Sequence, residues 1–211
     1  MTNLSTLLTL ADSRLPTGGH VHSGGIEEAV TSGIVVDLAT LRAYLRRRIR
    51  THGLVTASLA AAVHAGTLSV VDGDRETDAR TPAPAARAAS RAQGRGLARL
   101  ARRVWPDYDW KQLGTTPHLA VAAGAVGAVS GLNPDQTALS VVYTTMTGSA
   151  TAAQRLLALD PADVAALTFE LAPRCEATAA EAGKELADLS DPLLDVLAQR
   201  HTERERPLFV S

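Results

Sequence analysis

Leu119-Ala-Val-Ala-Ala-Gly-Ala-Val-Gly-Ala-Val129 decides the fold. Every position is apolar or glycine, so a helix built from it has no polar face to offer water. Such a helix belongs in the centre of a domain with other helices around it. Gly124 and Gly127 present a flat backbone where a neighbouring helix approaches closely. The apolar run from His118 to Leu132 is too short to span a bilayer comfortably, which leaves a buried core helix.

Composition outside this stretch points the same way. Only 3% of the 211 residues are aromatic, whereas 38 are alanine, the residue with the highest helix propensity. Sheet-rich domains need more aromatic and β-branched surface. The periodicity predicts a short helix bearing Leu4, Leu7, Leu8 and Ala11, ended before Pro16. A second starts at Ile26, with Ser23 as its cap. Asp37 caps a third, striped by Leu38, Leu41, Leu45 and Ile49. Gly53 breaks that pattern, and Leu54 to His64 resumes it. Asp72 to Pro84 reads as an irregular connection or a weak helix. Ala85 to Val104 forms an arginine-rich amphipathic helix. Another spans Pro134 to Leu159, where Gly148 suggests a close packing contact. Pro161 and Pro192 open the last two, and Pro173 kinks or ends the first of these. The expected fold class is all-α: one domain, residues 1–211, a bundle of about eight to ten helices with an extended tail over 201–211.

The net charge of −1 conceals a division. Residues 1–105 carry 14 arginines against 8 acids, and residues 106–211 carry 7 bases against 14 acids. The halves either face each other or offer charged surfaces to partners. A lone cysteine, Cys175, rules out an internal disulfide and suits a reducing compartment. Neither a secretory signal nor a membrane anchor is expected, and the localisation expected is cytoplasmic.

The chemistry-bearing feature is Leu15-Pro-Thr-Gly-Gly-His-Val-His-Ser-Gly-Gly-Ile-Glu27, with four glycines in the eight residues from Gly18 to Gly25. His20 and His22 suit a borderline metal such as nickel, but the spacing is weak and no third ligand is evident. The loop lacks the Lys-Ser/Thr ending of a phosphate loop. Neither a Gly-x-Ser-x-Gly elbow nor a paired-carboxylate spacing supports hydrolysis. The arginine runs, Arg46-Arg-Arg48 and Arg87 to Arg103, lack the aromatics and the strongly basic balance of a nucleic-acid surface. At the other end, Leu208 and Phe209 are apolar where chain ends are normally polar, so they dock on the body or on a partner.

Loop and tail together resemble the urease accessory proteins of the UreF type. The resemblance rests on Leu15-Pro-Thr-Gly-Gly19, His22-Ser-Gly-Gly-Ile-Glu27, Arg87-Ala-Ala-Ser-Arg-Ala-Gln-Gly94, Ser149-Ala-Thr-Ala-Ala-Gln-Arg-Leu-Leu157 and Leu208-Phe-Val-Ser211, with His201 ahead of the tail. Five blocks in order are more specific than any single one. The resemblance implies an all-α homodimer without catalytic activity or a tightly bound cofactor. It implies partners too: a nickel-carrying GTPase of the UreG type, a UreD/UreH-type scaffold and apo-urease, with nickel handled transiently. Residues it assigns to partner binding are Pro16, Thr17, Gly18, Gly19, His20, His22, Ser23, Gly24, Glu27, Arg87, Ser90, Gly94, Arg155, His201, Arg206, Leu208, Phe209 and Ser211. The chain departs from the family pattern at His20, often Phe, and at Pro207, where arginine is usual. Leu159-Asp-Pro161 also replaces the usual turn after the Arg155 helix. The alternatives are a small metal-dependent enzyme using His20 and His22, or a nucleic-acid-binding helical module.

Overall fold

A computed structural model describes residues 3–189 and 191–210, with the side chain of His20 outside that description. The expectations for Ser211 and for the His20 ring therefore lie outside the described residues. Among the described residues ten α-helices follow in order: α1 (Leu4–Leu10), α2 (Ile26–Thr31), α3 (Leu38–Arg48), α4 (Leu54–Ala65), α5 (Val70–Ala79), α6 (Pro84–Val104), α7 (Leu119–Val129), α8 (Pro134–Leu157), α9 (Pro161–Ala182) and α10 (Pro192–His201). No strand occurs among the described residues.

α7 sits where its uniform apolarity requires, between α4 and α6 and against α8. A Cβ on Gly124 would fall 2.6 Å from Ala60 O of α4, and one on Gly127 would overlap Thr137 of α8. Both glycines are thus set by helix contact. Around this centre α8 packs on α4 and α9, enclosing Leu41, Leu45, Ile49, Met146, Leu167 and Leu171. A second cluster joins α6 and α7 through Leu97, Ala101, Val121 and Val126, closed by Trp110 and Leu113. Cys175 lies in the first cluster, 3.7 Å from Met146 Sδ, and burial pushes its thiol up to about 11, which makes it inert.

Several sequence expectations change in detail. Gly53 does not interrupt the chain: Ile49–Gly53 forms a π-helical turn that joins α3 directly to α4. The acidic segment after Ser69 is a regular helix, α5, capped by the Ser69 hydroxyl. Its Asp74 and Asp78 find a cation in Arg91 of α6, and that tertiary pairing offsets weak local propensity. Ser23 does not cap α2; Gly25 takes that position at φ +86°, and Ser23 Oγ is buried without a hydrogen-bond partner. Pro173 does not end α9, which runs on to Ala182; it lies on the solvent face, between buried Leu171 and Cys175. Asp37 does cap α3, in a reciprocal box with Thr40.

Gly148 corrects another expectation, since nothing lies within 4 Å of a Cβ placed there. Glycine inside a helix costs roughly 1 kcal/mol relative to alanine. Gly148→Ala is therefore expected to stabilise the protein by about 0.5–1 kcal/mol, read as a higher midpoint in urea unfolding. A lower midpoint would restore the packing role.

The two oppositely charged halves face each other. Arg42 pairs with Glu170, Arg47 with Asp191 at 2.7 Å, and Arg80 with Asp188 at 2.6 Å. Asp191 is buried; burial alone would raise it, but the Arg47 and Thr51 hydrogen bonds outweigh that and hold it below the usual carboxylate range.

Candidate functional site

The glycine loop wraps one side of the bundle. It enters a single 3-10 turn, Gly19–Val21, through Gly18 at φ +81°, and leaves through Gly24 and Gly25 at +65° and +86°. These left-handed angles are accessible to glycine at little cost. Gly24 is constrained doubly, because a Cβ there would sit 2.5 Å from Arg48 Nη2. On the other flank, Gly96 of α6 lets Thr17 lie directly on the helix backbone.

Glu27 connects loop to tail. It opens α2 yet is only 2% exposed. Its Oε2 accepts from His201 Nε2 at 2.8 Å and from the Phe209 amide at 3.1 Å, and Oε1 accepts from the Leu208 amide at 2.8 Å. The Arg204 guanidinium stands 3.8 Å from Oε1. Burial pushes this carboxyl up, but the Leu208, His201 and Phe209 hydrogen bonds prevail and keep it below the ordinary glutamate value. The ionised carboxylate fixes the tail's course.

The tail is neither wholly sealed nor wholly free. Phe209 is 6% exposed and lies under the Arg155 guanidinium, 5.5 Å from ring centre. The Val210 amide donates to Val21 O at 2.7 Å, joining tail to loop. Leu208 and Val210, on either side of Phe209, are 78% and 71% exposed. Alternate residues thus divide between self-docking and solvent. Arg206 is exposed beside them.

Two cavities meet beneath the loop. The larger, about 250 Å³, lies among the loop, α6, α7 and α8 and reaches Phe209 and Arg155. The smaller, about 120 Å³, runs from the same place toward Asp191 and Asp195. His22, Gly24, Arg48 and His52 line both. The surrounding protein and the nearby Arg48 charge push the His52 imidazole down from its ordinary value, although the residue is exposed toward the cavities.

α6 carries another predicted group, and the structure uses it internally. Gly94 meets the backbone of Pro117 and His118. Ser90 Oγ bonds His118 Nδ1 at 3.0 Å and accepts from the Leu119 amide. Arg87 donates to the carbonyls of Thr81 and Pro82. Asp74, Asp78 and the buried His118 bring three possible ligand atoms within 4.8 Å. Arg91, however, bonds both carboxylates, and Asp78 takes the second His118 nitrogen at 2.9 Å. Desolvation keeps that imidazole neutral. The cluster satisfies itself with the protein's own charge.

Comparison with known proteins identifies the chain. The UreF family pattern matches residues 35–172. The sequence is 80% identical to the urease accessory protein UreF of Mycolicibacterium vanbaalenii, over 214 residues covering both chains completely. It is 72% identical, again over the whole of both, to the protein of that name from Mycobacterium tuberculosis strain H37Rv. The chain belongs to the UreF family of urease accessory proteins.

The UreF pattern begins after the glycine loop and ends before the tail, so it rests on the helical body. The full-length relatives extend the likeness over both. Urease maturation is therefore the process in which this UreF-family chain takes part, and among the described residues no helix is long and apolar enough to cross a membrane. Sequence reading missed Arg48, His52, Asp191 and His118 as site residues. Arg48 was hidden in a run of three arginines, two of which face outward.

Proposed function

We propose that this chain is a non-catalytic adaptor that docks a UreD/UreH-type scaffold and a nickel-carrying GTPase of the UreG type onto apo-urease, supporting nickel insertion in the cytoplasm. Membership in a family of urease accessory proteins supports the setting. The observation that carries the adaptor reading is the tail: Leu208 and Val210 are held out to solvent at an ordered position by the Glu27 clamp. A partner meets an apolar pair whose ordering cost is already largely met. Nickel passes within the assembly without a tight site on this chain, since strong ligation would trap it. We place homodimerisation on α9, where Phe169 is 81% exposed among exposed Ala162, Ala165, Ala166 and Pro173.

Leu208→Asp with Val210→Asp is expected to leave the melting temperature within about 2 °C, because both side chains face water. Capture by the UreD-type partner in a pull-down should fall at least tenfold. Gly18→Pro, which forbids the φ of +81°, should also weaken capture. Undiminished capture by both variants would sink the tail-and-loop reading. Turnover of a substrate by metal-loaded isolated protein would favour an enzyme using His20 and His22.

A further inference from the structure

α6 carries a ladder of arginines that the chain uses only in part. Arg87, Arg91, Arg95, Arg99 and Arg103 recur every four residues, and the helix contains no aspartate or glutamate. Residues four apart are neighbours on a helix surface, so none of the five has a counter-charge on its own helix. α5 supplies one for the first two. Its Asp74 and Asp78, themselves four apart, take Arg91 at 2.8 and 2.7 Å, and Asp78 stands 3.9 Å from Arg87. Beyond Arg91 the pairing stops. Arg95, Arg99 and Arg103 are exposed, and among the described residues none offers them a hydrogen bond or an ion pair. Like charges four apart destabilise a helix. The attraction of cations to a helix C-terminus falls off within the last turn, so it accounts for Arg103 but not for Arg95 and Arg99.

The first half of the ladder shows what would complete the second. α5 meets Arg87 and Arg91 with two carboxylates one helical turn apart. The three remaining arginines run over two turns, about 12 Å. A guanidinium matches a carboxylate with two parallel hydrogen bonds, and an acidic helix repeats its carboxylates at the same pitch. A track for nucleic-acid phosphates or a lipid surface would continue in positive charge. Here Asp107 and Asp109 follow directly, with exposed Val104 and Tyr108 among them. Such a mixed margin suits a protein surface. A second copy of this chain does not supply the helix. Its acids four apart on a helix, Asp72 with Glu76 and Asp74 with Asp78, are already paired with Arg75, Arg80 and Arg91.

We propose that Arg95, Arg99 and Arg103 form a docking surface for an acidic helix of a partner protein, with carboxylates four residues apart, laid along the second half of α6. This goes beyond the adaptor reading and does not depend on it, since it invokes neither the glycine loop nor the tail.

The test titrates the 15N-labelled full chain, at low ionic strength, with an alanine-rich peptide of about 18 residues, long enough to be helical. The peptide bears glutamates at three positions four apart. Resonance shifts should centre on the second half of α6 and saturate with a Kd on the order of 0.1–1 mM. Added salt should weaken binding. A peptide of the same composition, with its glutamates on different sides of the helix, should bind several-fold less tightly; equal binding overturns the helix assignment. Duplex DNA or phosphatidylserine vesicles holding the same arginines more tightly than the peptide would overturn the protein assignment. Arg95→Gln, Arg99→Gln and Arg103→Gln together should weaken peptide binding at least tenfold. The same triple variant should keep Tm within about 2 °C or raise it, because like-charge neighbours are removed. A larger fall in Tm would mean that the arginines serve the fold and would overturn the proposal. So would equal peptide binding by the variant, or no saturable shift on α6 of the wild type.

Discussion

Glu27→Ala should lower the stability of the isolated chain by about 3 kcal/mol, the cost of removing one partner from a buried, hydrogen-bonded charge pair. For a chain of this size that corresponds to a fall in Tm of about 6–12 °C. The reason lies in what the carboxylate holds: two tail amides, the His201 ring and, at 3.8 Å, the Arg204 guanidinium. Without it, two donors near the buried Phe209 lose their acceptor, and the tail from Leu208 onward detaches. Hydrogen exchange at the Leu208 and Phe209 amides should rise toward unprotected rates while α7 and α8 amides keep their order. Glu27→Gln retains one carbonyl oxygen and should fall between the two. Acidification should act similarly. The folded carboxyl sits below its ordinary value of 4.5, so its contribution is fully present above that value and is lost as pH falls through the folded pKa. Amide protection of the tail should therefore persist at pH 6 and decline below about 4.5. Unchanged exchange in Glu27→Ala would show that Phe209 burial alone retains the tail.

Gly94→Ala is the second large effect. An added Cβ would overlap Pro117 O and lie 2.7 Å from the His118 carbonyl carbon and 2.9 Å from the Leu119 amide nitrogen. All three are backbone atoms at the entrance to α7, and none can rotate away. Overpacking of a responsive core typically costs about 1–3 kcal/mol; here the loss should reach the upper end or beyond. α6 would be driven from α7, stretching the Ser90–His118 and Arg91–Asp74 contacts. The expected readout is a Tm lower by roughly 6 °C or more, or insoluble protein. Gly148→Ala is the control that raises stability. Equal stability of Gly94→Ala and wild type would mean that α6 slides freely on α7.

These two residues show how unevenly sequence exposes function. Gly94 is legible as part of a family block, whereas the helix crossing it serves is not. Nothing in its neighbours along the chain reveals that Pro117 lies against it. Glu27 and His201 were both legible as family residues, but their direct bond was not. Phe209 and Leu208 look equivalent on paper; the bent course of the tail buries one and exposes the other. Arg48 carried no distinguishing signal among its arginine neighbours.

The sequence by itself determined that the chain is helical, where most helices start, that α7 lies inside, and which family it belongs to. Composition, capping residues and apolar periodicity act over a few neighbouring positions, and their message survives without coordinates. Tertiary structure alone decided that the charged halves pair with each other, that Arg48 at the end of α3 and His52 of the π turn both line the two cavities beneath the loop, and that a carboxylate in the second helix holds the end of the chain. Those facts depend on groups separated by as many as 182 residues, whose energies of interaction exist only once folding has removed the water between them.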